Sequence, residues 1–396
     1  MSMRRPRLSI DNPFAFPILS TAAGLVGFIA YTVLSEACED AWFPVGFVLS
    51  LAAIIALMVH WAGMLERVDF RMDAFPTPIL VVMIGLKALV AARLLAAGAS
   101  EIPDARFEAF GSASFIALNS ILDVLFFPLV YVSTRNRTLR LAVLIVYVVA
   151  ACVTIYIASS KSSLIVVATK LLFLWFLLRK ERGLDSRWHL FGRWTLLAAA
   201  ALAGAQILIT SVLYGTTPLE TTTTAVVRAG RSFDGAIFSC LVQPGHAAPN
   251  SFFVYSLLPL LKRLDASYYD IEYYNVPQWL LGEVFDISPE GRFVFPNDNL
   301  FVATYFSLPT FVAPVVLVAI LFAMHLVVKN RIRRWKRTGR ADPLDVALVV
   351  SMALAYLSTQ EFVPLVVAIV LLKACRALIS TRRHRTPSSP SKPQIV

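Results

Sequence analysis

The stretch GTTPLETTTTAVVRAGRSFDGAIFSCLVQPGHAAPN, residues 215–250, opens a long polar segment in a chain that is otherwise a succession of apolar runs. The segment continues to Asn299 and carries Arg228, Arg231, Asp234, His246, Lys262, Arg263, Arg292 and a cluster of tyrosines. On either side of it, apolar runs of bilayer-crossing length recur with short connections between them. The segment is therefore read as one large loop set between two groups of membrane-spanning helices.

With 396 residues and 58% hydrophobic content, and a mean hydropathy of +0.69, the chain is too apolar for a soluble globular protein. Ten apolar runs can be drawn, at 17–34, 43–62, 78–97, 112–133, 140–158, 164–178, 194–214, 301–328, 344–358 and 363–379. A span needs roughly 17–25 residues, so 164–178 and 344–358 must borrow flanking residues or tilt. The expected fold is an all-α polytopic membrane protein with about ten transmembrane helices and one long periplasmic loop. Residues 1–214 would hold seven helices, 215–300 the loop with short helices, 301–379 three more helices, and 380–396 a disordered tail.

Charge placement sets the expected orientation. Of the 36 Lys and Arg, 26 fall in one set of alternate connections, with the helix-end residues Arg140, Lys373 and Arg376 included, and 7 in the other, the asymmetry that insertion polarity produces. Both termini are then cytoplasmic, and 215–300 faces the periplasm. The net charge of +11 follows this alternation rather than clustering on one solvated face, which argues against nucleic acid as a partner. The basic amino terminus runs into an apolar segment without a small-residue cleavage site, as expected of an uncleaved first span. The four cysteines, Cys38, Cys152, Cys240 and Cys375, have no metal-ligand spacing. Cys38 and Cys240 share the predicted outer side and are available for a disulfide there; two unpaired core cysteines are the alternative.

Arg228, Arg231 and Asp234 stand at i, i+3 and i+6 in a stretch with helical spacing, and so share a face. Adjacent guanidiniums repel unless an anion lies between them, and their planar forks fit phosphate. A phosphate or pyrophosphate clamp is one reading; an Arg231–Asp234 surface pair with Arg228 on lipid headgroups is the other. His246 is the one histidine of the outer segments and could take a proton from a sugar hydroxyl near neutral pH, although a lone loop histidine is often incidental. Residues 251–264 suit a helix lying in the membrane interface. Tyr268, Tyr269, Tyr273, Tyr274 and Trp279 suit an interfacial aromatic belt, or carbohydrate stacking with Asp265, Asp270 and Glu272. Arg292 is a further anion-site candidate, and Asn299 is expected to cap the next helix. Lys161, in the short outer turn SSKSS at 159–163, offers a cation among hydroxyls to a lipid phosphate, or simply snorkels. Within the spans, Lys87 is expected to pair with Asp123, Arg93 to snorkel outward, and Lys170 to line the floor of an outer cavity.

At SSKSSLI (159–165), the arginine-bearing outer segment and NDNLFVATYF (297–306), the chain resembles the Wzy-type O-antigen and exopolysaccharide repeat-unit polymerases. The resemblance covers roughly 140–330 and implies a GT-C-like helical fold in the bacterial inner membrane. It further implies transfer of a growing glycan from undecaprenyl pyrophosphate to the next lipid-linked repeat unit, with a chain-length regulator as a further partner. By the same resemblance, Arg228 and Arg231 would hold the donor pyrophosphate, and Lys161 would stand at the family's basic turn position. Fixed cations would neutralise the leaving group, with Arg292 and Lys170 assisting, and His246 or Asp234 would act as the base. No cofactor is expected, and the transfer would be metal-independent and inverting. An O-antigen ligase of similar layout, or a flippase for lipid-linked glycans, remains the alternative.

Overall fold

The computed structural model describes residues 9, 11–35, 42–75, 127–158, 161–182, 215–222, 248–250, 300–309 and 312–354. It also describes shorter stretches within 80–92, 204–212, 254–282 and 366–376. The elements, in order, are α1 (Ala15–Ser35), α2 (Trp42–Glu66), β1 (Arg71–Met72), α3 (Phe127–Ser133), α4 (Arg137–Ala158), α5 (Lys161–Arg182), α6 (Leu300–Ser307), α7 (Ala313–Thr338), β2 (Arg340–Ala341) and α8 (Pro343–Leu354). The described residues are thus mostly helical, with a two-stranded addition.

Two helices, α2 and α7, are long and apolar enough to cross a membrane. The core helix of a soluble protein would bury such a stretch, yet only 33% of the apolar window of α2 and 22% of that of α7 lie inside the molecule. The rest faces outward. On α1, Leu19, Val26 and Val33 form an exposed apolar stripe at i, i+7 and i+14. An apolar exterior wrapped around a packed interior is what lipid contact asks for, and what water would penalise at about 25 cal/mol per Å².

Inside, α2 packs against α1 and α7, while α3 packs against α4, α5 and α8. Large rings stitch the first group together: Phe28 of α1 meets Phe47 of α2 edge-on at 4.5 Å, and Phe47 meets Phe301 of α6 at 5.0 Å. Contacts of α8 with α3 and with α7 join the two groups.

Three expectations are corrected. The run 301–328 is not one helix: Pro309 lies in a break, and the chain forms α6, then α7 beginning with Pro314 in its first turn. Residues 164–178 borrow flanking residues, as expected of so short a run, within α5; that helix begins at Lys161 and so removes the second half of the expected 159–163 turn. The helical character agrees with the all-α expectation, to which the chain adds one short parallel pair, with Arg71 beside Arg340 and Met72 beside Ala341. The third concerns Trp279, grouped with the tyrosines for an interfacial belt or for carbohydrate stacking. It is buried, with its ring 6.1 Å from that of Phe306.

The β1–β2 pair places the ends of α2 and α7 side by side. Gly339 makes it possible: at φ 62 it closes α7 with a left-handed cap, its N–H donating to the Trp335 carbonyl. Its own carbonyl accepts the Arg71 N–H at 3.0 Å. The Phe70 ring rests 5.2 Å from Trp335 beneath this turn.

Candidate functional site

Of the residues singled out in the sequence, Arg228, Arg231, Asp234, His246 and Arg292 lie outside the described residues, as do Asp123, Arg93, Cys38 and Cys240. Lys161 is the first residue of α5. Lys170 is buried on the same helix, nine residues further along, or about 14 Å at 1.5 Å per residue. Lys87 is buried too, its ammonium 5.7 Å from the centre of the Tyr147 ring.

The polar segment is well defined where it begins. Gly215, at φ 61, turns the chain out of the preceding apolar run. Thr217 and Glu220 then cap each other: the Glu220 N–H donates to Thr217 Oγ1 at 3.2 Å, and the Thr217 N–H donates to the Glu220 carboxylate at 2.8 Å. This is a reciprocal capping box with Pro218 at the first helical position, and it starts a helical turn at 218–222. The donated N–H holds the Glu220 carboxyl below its usual range. Behind it, the hydroxyls of Thr216 and Ser211 each meet that of Thr221, at 2.8 and 3.0 Å. The pattern T-x-x-E with an intervening proline is legible in TPLE, residues 217–220.

Further along, the segment folds back into the molecule. The Ala248 N–H donates to the Phe306 carbonyl at 2.7 Å, next to the break after α6. Tyr255, Val276, Trp279 and Leu280 are buried among the core side chains. The stretch from 215 to 300 is therefore fastened to the helical body at several points.

At the end of the bundle where α2 and α7 terminate, ion pairs cluster. Arg179, near the end of α5, donates through Nε to Asp11 at 2.9 Å and through Nη2 to both Glu66 oxygens at 3.1 Å. Lys180 donates to the Glu66 carbonyl at 2.6 Å and lies 3.7 Å from Asp69. Asn12 completes the knot, donating to Glu66 at 3.1 Å while its own carbonyl oxygen caps the Phe14 N–H at 3.0 Å. The Phe176 ring lies 5.3 Å from the Arg179 guanidinium. Asp11, Glu66, Arg179 and Lys180 are all withdrawn from solvent and balance in charge. Burial pushes the Asp11 carboxyl up, and attraction to Arg179 offsets part of that. Burial likewise pulls the Lys180 ammonium down, against the pull of Glu66.

A second group ties the start of α8 to its neighbours. Asp345 accepts from Lys373 and lies 3.3 Å from Arg331 of α7, while Asp342 accepts from Arg376 at 2.7 Å. The sequence signal for the first group was weak, because Asp11, Glu66 and Arg179 lie in different connections. These contacts have a fastening geometry: no unpaired reactive group stands among them. Among the described residues, no three His, Cys, Asp or Glu side chains gather closely enough to hold a metal ion.

No protein family, curated protein or solved structure matches this chain.

Proposed function

We propose that the chain is a multi-pass bacterial inner-membrane glycosyltransferase that polymerises undecaprenyl-pyrophosphate-linked oligosaccharide repeat units at the periplasmic face. The observation that carries this reading is the fastening of the 215–300 segment, by the Ser211–Thr221 bond at its start and the Ala248–Phe306 bond and buried Trp279 later on. A passive connection has no need of such anchoring. A segment that must hold two lipid-linked substrates in register does.

In this reading Arg228 and Arg231 hold the donor pyrophosphate, with Arg292, Lys161 and Lys170 adding positive charge. The acceptor hydroxyl oxygen attacks the anomeric carbon of the donor glycan. The bond from that carbon to the pyrophosphate oxygen breaks, the electron pair leaves with the pyrophosphate, and His246 or Asp234 takes the hydroxyl proton. The helical turn at 218–222 ends six residues before Arg228 in the sequence.

The test is gel analysis of surface glycan from a deletion strain and from strains carrying Arg228→Ala or Arg231→Ala. Loss of the polymer ladder, with single repeat units still attached to the lipopolysaccharide and protein levels intact, is the expected result. Loss of all attached glycan would assign a ligase instead. A lipid-linked repeat unit trapped on the inner face would assign a flippase. Normal chain length in both arginine variants would sink the proposed chemistry.

A further inference from the structure

The carboxy-terminal half of α7 carries basic side chains that the fastening ion pairs leave unused. His325, Lys329 and Arg333 recur every four residues and so form one stripe on the helix surface. His60 of α2 faces the upper end of that stripe, with its ring 5.7 Å from that of His325. Trp61 donates through Nε1 to His325 Nδ1 at 3.2 Å. A neutral imidazole accepting at Nδ1 carries its proton on Nε2, which leaves that nitrogen as a donor.

Lys329 and Arg333 are the electrostatic neighbours of His325, together with His60. Among the described residues, no acidic side chain pairs with any of these four, whereas the adjacent Arg331 turns the other way, to Asp345. Two fixed cations flanked by imidazole donors, with no counter-ion among the described residues, suit an anion from outside.

The same face becomes apolar further back along α7. Val318 is 64% exposed and Phe322 60%, with Leu326 at 39% beside His325. From Val318 to Lys329 is eleven residues, or about 16 Å along the helix. One leaflet of a bilayer contributes about 15 Å of hydrocarbon. Exposed apolar surface of one leaflet's depth, ending in cations at the headgroup level, matches the outline of a phospholipid.

We propose that this stripe binds an anionic phospholipid, the acyl chain lying along Val318 and Phe322 and the phosphate held by His325, Lys329, Arg333 and His60. The site belongs to the leaflet at the end of the bundle where α2 and α7 terminate. It stands apart from the transfer reaction and does not depend on it.

Native mass spectrometry of the detergent-purified chain tests it, with phosphatidylglycerol, phosphatidylcholine or inorganic phosphate titrated in. Phosphatidylglycerol should be retained in clear preference to phosphatidylcholine, and inorganic phosphate should not displace it at equal concentration. Each basic residue at an anionic lipid surface contributes a factor of about five, so Lys329→Gln with Arg333→Gln should weaken phosphatidylglycerol binding about thirty-fold. Arg334→Gln with Arg340→Gln removes the same charge away from the stripe and should change binding by less than about twofold. His60→Ala should cost a smaller factor, and none of these variants should alter the melting midpoint without lipid. Equal losses in the two double variants would overturn the proposal as mere surface charge. Equal retention of the two lipids would do the same, and ready displacement by phosphate would exclude a lipid as the occupant.

Discussion

Arg179 carries more of the inner network than any other side chain, since its one guanidinium serves both Asp11 and Glu66. Arg179→Ala would strand two carboxylates away from water, and should lower stability by about 3–5 kcal/mol in a thermal melt of detergent-solubilised protein. Arg179→Lys cannot fork between the two and should recover only part of that. Asp11→Asn should cost much less, because burial already disfavours its charged form. The pH dependence follows with a definite sign. The folded carboxyl of Asp11 holds its proton to higher pH than the unfolded value of 3.8. Its contribution to stability therefore declines as pH rises from about 3.8 through the raised folded value, and is flat above it. Asp11→Asn should remove that slope from the melting midpoint; an unchanged slope would show that another group causes it. None of this was legible beforehand. Asp11, Glu66 and Arg179 sit in three separate connections, and the count of Lys and Arg that sorts connections by side is blind to which charges meet.

At the scale of elements, two short devices are open to measurement. Thr217→Ala removes half of the capping box and should cost the 218–222 turn about 1 kcal/mol. Hydrogen exchange should speed up at those residues and not in α7. Gly339→Ala meets no atom within 4 Å but forces a side chain into the left-handed region. It should cost about 1–2 kcal/mol, and Gly339→Asn less. Long helices were the legible part, because apolar runs of bilayer length leave few other solutions. Their bounds were less so. Pro309 breaks 301–328 within an unbroken apolar pattern, where hydropathy alone does not register a change of direction. The parallel pair was invisible, since two residues on each strand carry no alternation to read. Trp279 misled for a related reason: composition puts tryptophan at an interface, and only tertiary packing against Phe306 places it inside.

On the scale of the whole molecule, the termini of α2, α5 and α7 and the starts of α1 and α8 gather at one end. Cysteines at 71 and 340 should therefore cross-link on oxidation, as adjacent strands run about 4.7–4.9 Å apart and a disulfide accepts Cα separations of about 4.4–6.8 Å. A gel shift lost on reduction is the expected reading. Its absence in a folded, membrane-extracted double variant would mean that the two connections do not meet. The candidate transfer site was legible only as chemistry, as cations and a histidine in one polar stretch. A loop with short helices was expected there, and its described residues are tied to the helical body. Its fastenings are single hydrogen bonds and buried rings, which composition does not encode.

The bond between Asp11 and Arg179 joins positions 168 apart. While the ribosome is still making the first helices, the cation that will fasten the amino terminus does not yet exist. The segment around Asp11 must therefore wait, unlatched, while α1 to α4 are made, and is secured only when the end of α5 emerges. Stalled nascent chains that stop short of Arg179 should expose their first residues to added protease, and chains carried past it should protect them.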